Sequence, residues 1–202
     1  MKTLLSFIAS VSMLVITTVV QAQAWTAEMD SLAKETEAKY KLRPGTCKAF
    51  SWQESNHNPY AIRVEANYVE ATGAYAKRVR MESRAFSKAN NGLPSYLTEV
   101  YQMGTSWTQY QIMGVNVRAL GYKSPFLYPI PMHTAFDMFG RFFSNLVKKH
   151  NGDYAYAIGE YNGGYGAVMR KVNGKWQRRP VLQFRNLRYV TRVTAFIREF
   201  SN

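Results

Sequence analysis

The residues from Thr134 to His150 constrain this chain more than any other stretch. Ala135, Met138, Phe139, Phe142, Leu146 and Val147 recur at spacings of three and four. That spacing lines up on one face of an α-helix and on no single face of a strand. Other parts of the chain must cover so apolar a face. Thr134 and Asp137 resemble a capping-box start. Lys148, Lys149 and His150 fill the last turn, where cations suit the negative helix end, and Asn151-Gly152 stops it. The closing stretch, from about Gln183 to Phe200, repeats the pattern with Tyr189, Val190, Val193, Phe196, Ile197 and Phe200 inward. Thr26 to Leu42 reads as another helix, with Glu28 and Asp30 at its start and Lys39, Lys41 and Arg43 near its end. Shorter helices are expected from Ser106 to Leu120, closed by Gly121, and from Asp153 through Tyr161, ended by Gly163-Gly164. Glu65 to Lys88 is partly helical. Asn90-Asn91-Gly92-Leu93-Pro94 is a loop, and Pro125, Pro129 and Pro131 mark an irregular connection. Gly174 is a hairpin tip between Val172 and Trp176. The chain is therefore expected to be mainly α, with a small β contribution.

The 202 residues give room for one domain with a sizeable core. The first 24 read as a secretory signal peptide. Lys2 supplies the charge, Leu4 to Val20 the apolar run, and Ala22-Gln23-Ala24 the cleavage site. Cleavage after Ala24 leaves a mature domain of residues 25–202, exported to a periplasm or secreted. No later stretch is apolar enough to span a bilayer, which takes ~20 residues. Of the 26 Lys and Arg only Lys2 is lost, so 25 cations face 13 acids and the mature charge is +12. A basic exported protein suits an anionic polymer: cell-wall glycan with its peptide carboxylates, lipid head groups or extracellular nucleic acid. No nucleic-acid motif or Lys/Arg-rich helix face is present, so nucleic acid is not the expected partner. Aromatic residues make up 14% of the chain, which favours sugar, since sugar rings stack on Tyr and Trp. Cys47 is the one cysteine and reads as a small buried hydrophobe. His57, His133 and His150 lie too far apart for metal-ligand spacing, so neither metal nor cofactor is expected.

The stretch that carries chemistry is Ser51-Trp52-Gln53-Glu54-Ser55-Asn56-His57-Asn58-Pro59. Pro44-Gly45 breaks the chain before it, Thr46 is placed to cap a short helix, and Asn58-Pro59 to end it. Cys47, Phe50 and Trp52 give that helix its apolar stripe. Glu54 then falls in the last turn, beside the negative end of the dipole. A carboxyl there is harder to ionise, more so under aromatic cover, and can serve as a general acid near neutral pH. His57, just past the break, reads as a rim residue.

Three segments fall in order: Glu54-Ser55 with Asn58-Pro59 and Ala61; Ser106-Trp107-Thr108-Gln109-Tyr110-Gln111-Ile112-Met113; and Ala157-Ile158-Gly159-Glu160-Tyr161-Asn162-Gly163-Gly164. The ordered set resembles the soluble lytic transglycosylases of the goose-type-lysozyme-like superfamily. Tyr189-Val190 and Val193 also fit that family's last helix, so the resemblance covers roughly Lys41 to Phe200. It implies a lysozyme-like, mainly α fold. It also implies a substrate, the β-1,4 bond between N-acetylmuramic acid and N-acetylglucosamine in peptidoglycan. One Glu, here Glu54, would protonate the leaving oxygen and then act as base on the sugar's 6-hydroxyl, giving a 1,6-anhydro end. Ser55 would sit near it. Ser106, Gln111 and Met113 would line the cleft, and Tyr161 with Asn162 would hold the Glu or the sugar acetamido group. The partners implied are glycan strands and a wall-spanning secretion, conjugation or phage assembly.

The chain departs from the pattern in places. Thr108 and Gln109 replace the usual Gly-Leu, and Glu160 stands where a small residue is common. The span of about 60–105 reads as a family-variable insertion. Some phage-related relatives share its opening, here Asn58-Pro59-Tyr60-Ala61-Ile62-Arg63-Val64-Glu65. Arg63 and Glu65 are spaced for an ion pair near the cleft, and Glu65 or Glu99 is the candidate second carboxylate. Two other readings stand beside the transglycosylase: a hydrolytic muramidase, and a non-catalytic peptidoglycan-binding module.

Overall fold

The computed structural model describes residues 24–69, 73–124 and 130–201, with side chains 67 and 68 left aside. Residues 1–23 of the stretch read as a signal peptide, and the prolines at 125 and 129, lie outside the described residues. The structure is mainly helical, with two small antiparallel sheets.

Helix α1 (Ala27–Tyr40) starts as expected: the Thr26 hydroxyl accepts from the Met29 N–H at 3.1 Å. Helix α7 (Met132–Lys149) lies against it. Gly140 makes the approach possible, because a Cβ there would meet the Tyr40 ring at 2.2 Å and Thr36 at 2.7 Å. The expected capping box of α7 does not form. Pro131 is the cap residue, Thr134 bonds the His133 ring, and Asp137 accepts from Lys39 (2.6 Å) and Tyr40 (2.5 Å). Phe136 and Phe143 join the buried face of α7, whereas Phe142 is only half-buried.

Helix α2 (Thr46–Ser55) carries Glu54, and neither of its ends is made as its sequence suggests. The cap residue is Gly45, and the side chain that satisfies the helix start is Glu37 of α1. Its carboxylate accepts the Gly45 N–H at 3.2 Å and the Cys47 N–H at 2.7 Å. A buried carboxylate at the positive helix end does the work expected of Thr46, whose hydroxyl donates instead to the Arg43 carbonyl. The helix stops before Pro59 is reached. Asn56 and His57 both adopt positive φ (51° and 64°), and Asn56 donates back to the Trp52 carbonyl.

The chain then builds a smaller region. Strand β1 (Ile62–Val64) leads into α3 (Ala66–Val69), α4 (Ala74–Ala89) and α5 (Tyr96–Met103). The expected helix from Ser106 is largely absent. Thr105–Trp107 is β2, pairing with β1, and Ile112–Met113 is β3; only Gly114–Ala119 is helical (α6). Thr108 (φ 66°) and Gln111 (φ 49°) turn the chain between β2 and β3, and a helix cannot pass through such residues.

The last third returns to the main body. Helix α8 (Tyr154–Gly163) is capped by Asp153, which accepts from the Ala155 and Tyr156 N–H groups. A short helix α9 (Tyr165–Val168) follows. The expected hairpin forms from β4 (Met169–Val172) and β5 (Lys175–Arg178), with Asn173 and Gly174 at positive φ in its tip. Helix α10 (Leu187–Phe200) begins later than Gln183; a 3₁₀ turn over Val181–Gln183 comes first.

Two apolar clusters result. The larger joins α1, α2, α7, α8 and α10 and packs aromatic rings together: Tyr110 stacks on Phe139 at 4.2 Å, and Phe50 lies tilted against Phe143 at 4.7 Å. Each buried Phe contributes on the order of 2–3 kcal/mol. The smaller holds Val79, Val100, Met103 and Val115 among α4, α5 and α6.

Candidate active site

The end of α2 faces the first turn of α10 and the last turn of α8. Tyr189 on α10 donates its hydroxyl to Glu54 Oε1. Tyr161 on α8 is close enough for the Glu54 charge to act on it. Residues at the β1 edge complete the surroundings: Arg63 and Glu65 both act on the Glu54 carboxyl. By surface area Glu54 is partly exposed, yet protein crowds its carboxyl. Burial pushes its pKa from 4.5 up to about 7; the Tyr189 hydroxyl and the Arg63 charge pull it down, and Glu65 pushes it up. Near neutral pH the group is thus close to half protonated, as a general acid that must later act as base requires.

A cleft of about 630 Å³ runs between the main body and the smaller region. Met113 and Asn116 line it from the α6 side, Tyr75 and Arg78 from α4, and Phe142 and Glu160 to Tyr165 from α7 to α9. Of the residues proposed from sequence, Met113, Tyr161 and Asn162 are in this wall. Ser106 lies one link behind it, donating to Glu65 Oε1 at 3.1 Å and touching Met113 Sδ at 3.2 Å.

The other candidates hold the frame. The Ser55 hydroxyl reaches the Gln109 carbonyl at 3.0 Å and so ties the Glu54 helix to the loop after β2. The Gln111 amide closes that loop, donating to the carbonyls of Thr108 (2.9 Å) and Ala61 (3.2 Å). The Tyr161 hydroxyl donates to the Tyr110 carbonyl at 2.5 Å, while its ring packs on Phe50 at 4.7 Å. Tyr161 therefore does not hold the carboxyl; Tyr189 does. Asn162 accepts from Asn186 at 3.0 Å, which joins α8 to α10 below the cleft.

Two expectations change here. His57 is buried, not at the rim: its ring sits 4.6 Å from Trp25 and 5.2 Å from Trp52 and bonds Ser51 Oγ at 3.0 Å. Burial, helped by the Lys48 charge, lowers its pKa from 6.5 to about 4, so it is neutral at pH 7. Glu99 is not a second carboxylate for the site, because it is fully buried in a two-pronged pair with Arg118 at 2.7 and 3.0 Å. Glu65 has the expected ion pair with Arg63, at 2.6 Å. Glu160 is held by Lys149 (2.5 Å) and His150 (2.8 Å) at the far side of the cleft.

Sequence reasoning missed Tyr189 as a site residue and counted it among inward apolar positions. Its hydroxyl was the signal, since a buried Tyr needs a partner for it. Among the described residues no helix is long and apolar enough to cross a membrane, and no three His, Cys, Asp or Glu converge as a metal site. Comparisons with protein-family models, with curated proteins and with solved structures found no match for this chain.

Proposed function

We propose that this chain is an exported peptidoglycan lytic transglycosylase. The observation that carries the reading is the carboxyl of Glu54: crowded by protein, held by Tyr189, poised near pH 7, and acting on Tyr161, which stands in the wall of the cleft. The order of the three motifs described above supports it, as does the net basic charge, which suits an anionic wall. The fold proposed with it is lysozyme-like.

In this mechanism protonated Glu54 gives its proton to the oxygen leaving N-acetylmuramic acid. Positive charge develops at C1, and the Glu54 carboxylate now stands beside it. The carboxylate then takes the proton of the sugar's own 6-hydroxyl, whose oxygen bonds C1. The product carries a 1,6-anhydro ring, and Glu54 is protonated again. One carboxyl suffices because no water has to be activated. Tyr189 orients the carboxyl through both steps. Glycan strands in a wall, opened for a secretion, conjugation or phage assembly, are the proposed setting.

One observation favours a second reading, a hydrolytic muramidase: Glu65 is a second carboxylate close to Glu54. Digestion of purified wall separates the readings by product mass. Anhydro ends are expected. Reducing ends would mean hydrolysis, and binding without release would mean a wall-binding module. Glu54→Gln keeps the shape but carries no proton, and should cut release by ~10²–10⁴-fold. Residual activity above about a tenth of wild type would remove Glu54 from its role.

A further inference from the structure

Among the described residues, Arg63 is the cation that acts on Glu54. On the elements packed against it the titratable and charged groups are Tyr189 of α10, Tyr161 of α8, and Arg63 and Glu65 at the β1 edge. The two tyrosines are neutral over the working range, since burial and the Glu54 charge raise both well above 10. Arg63 is therefore the group able to strip Glu54 of its proton. Its side chain is 66% exposed, on a long flexible stem. Its guanidinium turns to Glu65, at 2.6 Å.

Glu65, by contrast, is fixed. Its backbone N–H donates to the Gly104 carbonyl at 3.0 Å, and its Oε1 accepts the Ser106 hydroxyl at 3.1 Å. Ser106 is the residue directly opposite Arg63 across the β1–β2 ladder. The sheet thus places an anchored carboxylate beside an exposed cation, two residues apart at one strand edge.

We propose that Glu65 is a positioning residue that holds the Arg63 guanidinium off Glu54, so that the acid keeps its proton. The proposal rests on the reading of Glu54 as the acid. Without Glu65 the Arg63 guanidinium loses the partner that holds it, and an Arg⁺ beside the Glu54 carboxylate favours the ionised form by about 1–3 pH units. With Glu65 present, the two charges oppose each other at Glu54, and burial decides. This role differs from that of a second catalytic carboxylate, because it disappears once Arg63 is gone.

The test is a ¹³C-carboxylate NMR titration of Glu54 in the purified chain, assigned by its loss in Glu54→Gln. It is run on wild type, Glu65→Gln, Arg63→Met and the double variant. Glu65→Gln should lower the Glu54 midpoint by about one pH unit or more. Arg63→Met should raise it, and the double variant should return close to wild type. The alkaline limb of wall digestion should follow the same order, with about tenfold less activity per unit of downward shift at pH above the midpoint. An unmoved midpoint in Glu65→Gln overturns the proposal, and so does a double variant that stays low. A double variant with a restored midpoint and no digestion also overturns it, in favour of a catalytic Glu65. If the midpoints move as expected while wild type itself releases nothing from wall, the ion pair does what is claimed and the transglycosylase reading fails instead.

Discussion

The two sides of the cleft are held together by different physics. The main body stacks rings: Tyr110, Phe139, Phe143, Phe50 and Tyr161 all lie within about 6 Å of a neighbouring ring. The smaller region has four buried aliphatic residues and, among them, an ion pair. Arg118 grips Glu99 with two nitrogens, donates to the carbonyls of Tyr122 and Ser124, and lies 4.0 Å over the Phe86 ring. An apolar stack loses stability piecemeal when trimmed. A buried ion pair fails as a unit, because removing one charge strands the other. The acid sits on the ring-stacked side, and the opposite wall is the one whose stability hangs on a single pair.

The largest effect should come from breaking that pair. Glu99→Gln leaves the Arg118 charge buried and should cost about 3–5 kcal/mol. Hydrogen exchange would locate the loss: amides of α4 to α6 should lose protection while those of α7 keep theirs. Equal loss in α7 would mean the two sides open together and the contrast is false.

The second test concerns the main body alone. Glu54, raised to about 7, gives stability that is full below pH 4.5 and is lost as pH rises to about 7. His57, lowered to about 4, gives the reverse: stability full above pH 6.5 and lost as pH falls to about 4. Each shift is worth on the order of 3 kcal/mol, and the slopes oppose. Relative to wild type, Glu54→Gln should therefore gain stability as pH rises through this window, and His57→Gln should lose it. Denaturant melts across pH 4 to 8 measure both, and parallel curves for all three proteins would dismiss both shifts.

Smaller still is the effect at the seam. Gln109 is fully buried, and among the described residues neither end of its amide has a hydrogen-bond partner. Gln109→Leu should stabilise by about 1–3 kcal/mol in thermal melts. Destabilisation would show that the amide is satisfied after all. The smallest effect separates two tyrosines of the main body. Tyr161→Phe loses a bond to a backbone carbonyl and should cost about 0.5–1.5 kcal/mol with turnover kept. Tyr189→Phe should instead lower turnover and shift its alkaline limb upward, because a hydroxyl that favours the ionised Glu54 is gone. A Tyr161→Phe variant slower than Tyr189→Phe in wall digestion would reverse the assignment.

The strongly periodic helices were readable from sequence, and so was the β4–β5 hairpin, since each is dictated by local spacing and local turn residues. What escaped was set from a distance. Thr46 has the chemistry of a cap, but Glu37 arrives from α1 with a charge and displaces it. The segment from Ser106 looks helical until Thr108 and Gln111 take positive φ, which only pairing with β1 makes worthwhile. Thr108 stands where the resemblance expects Gly, so the sequence signalled an unusual residue there without revealing the turn. Glu54 could be singled out because its type, its place in the last turn and the ordered set of motifs point to the same residue. Its partner Tyr189 could not, being 135 positions away.

That separation bears on how the molecule comes into being. The start of α2 needs Glu37 from the helix before it, and Gly45 packs against the backbone of Ile197, Phe200 and Ser201. The end of α2 needs Tyr189. A chain growing from its amino terminus exposes Glu54 long before its tyrosine is made, and contacts of such long sequence separation form slowly. An unfinished or truncated copy therefore has the carboxyl without its clamp, in water, at an ordinary acidity. The carboxyl is clamped only when two stretches 135 positions apart in the polypeptide meet.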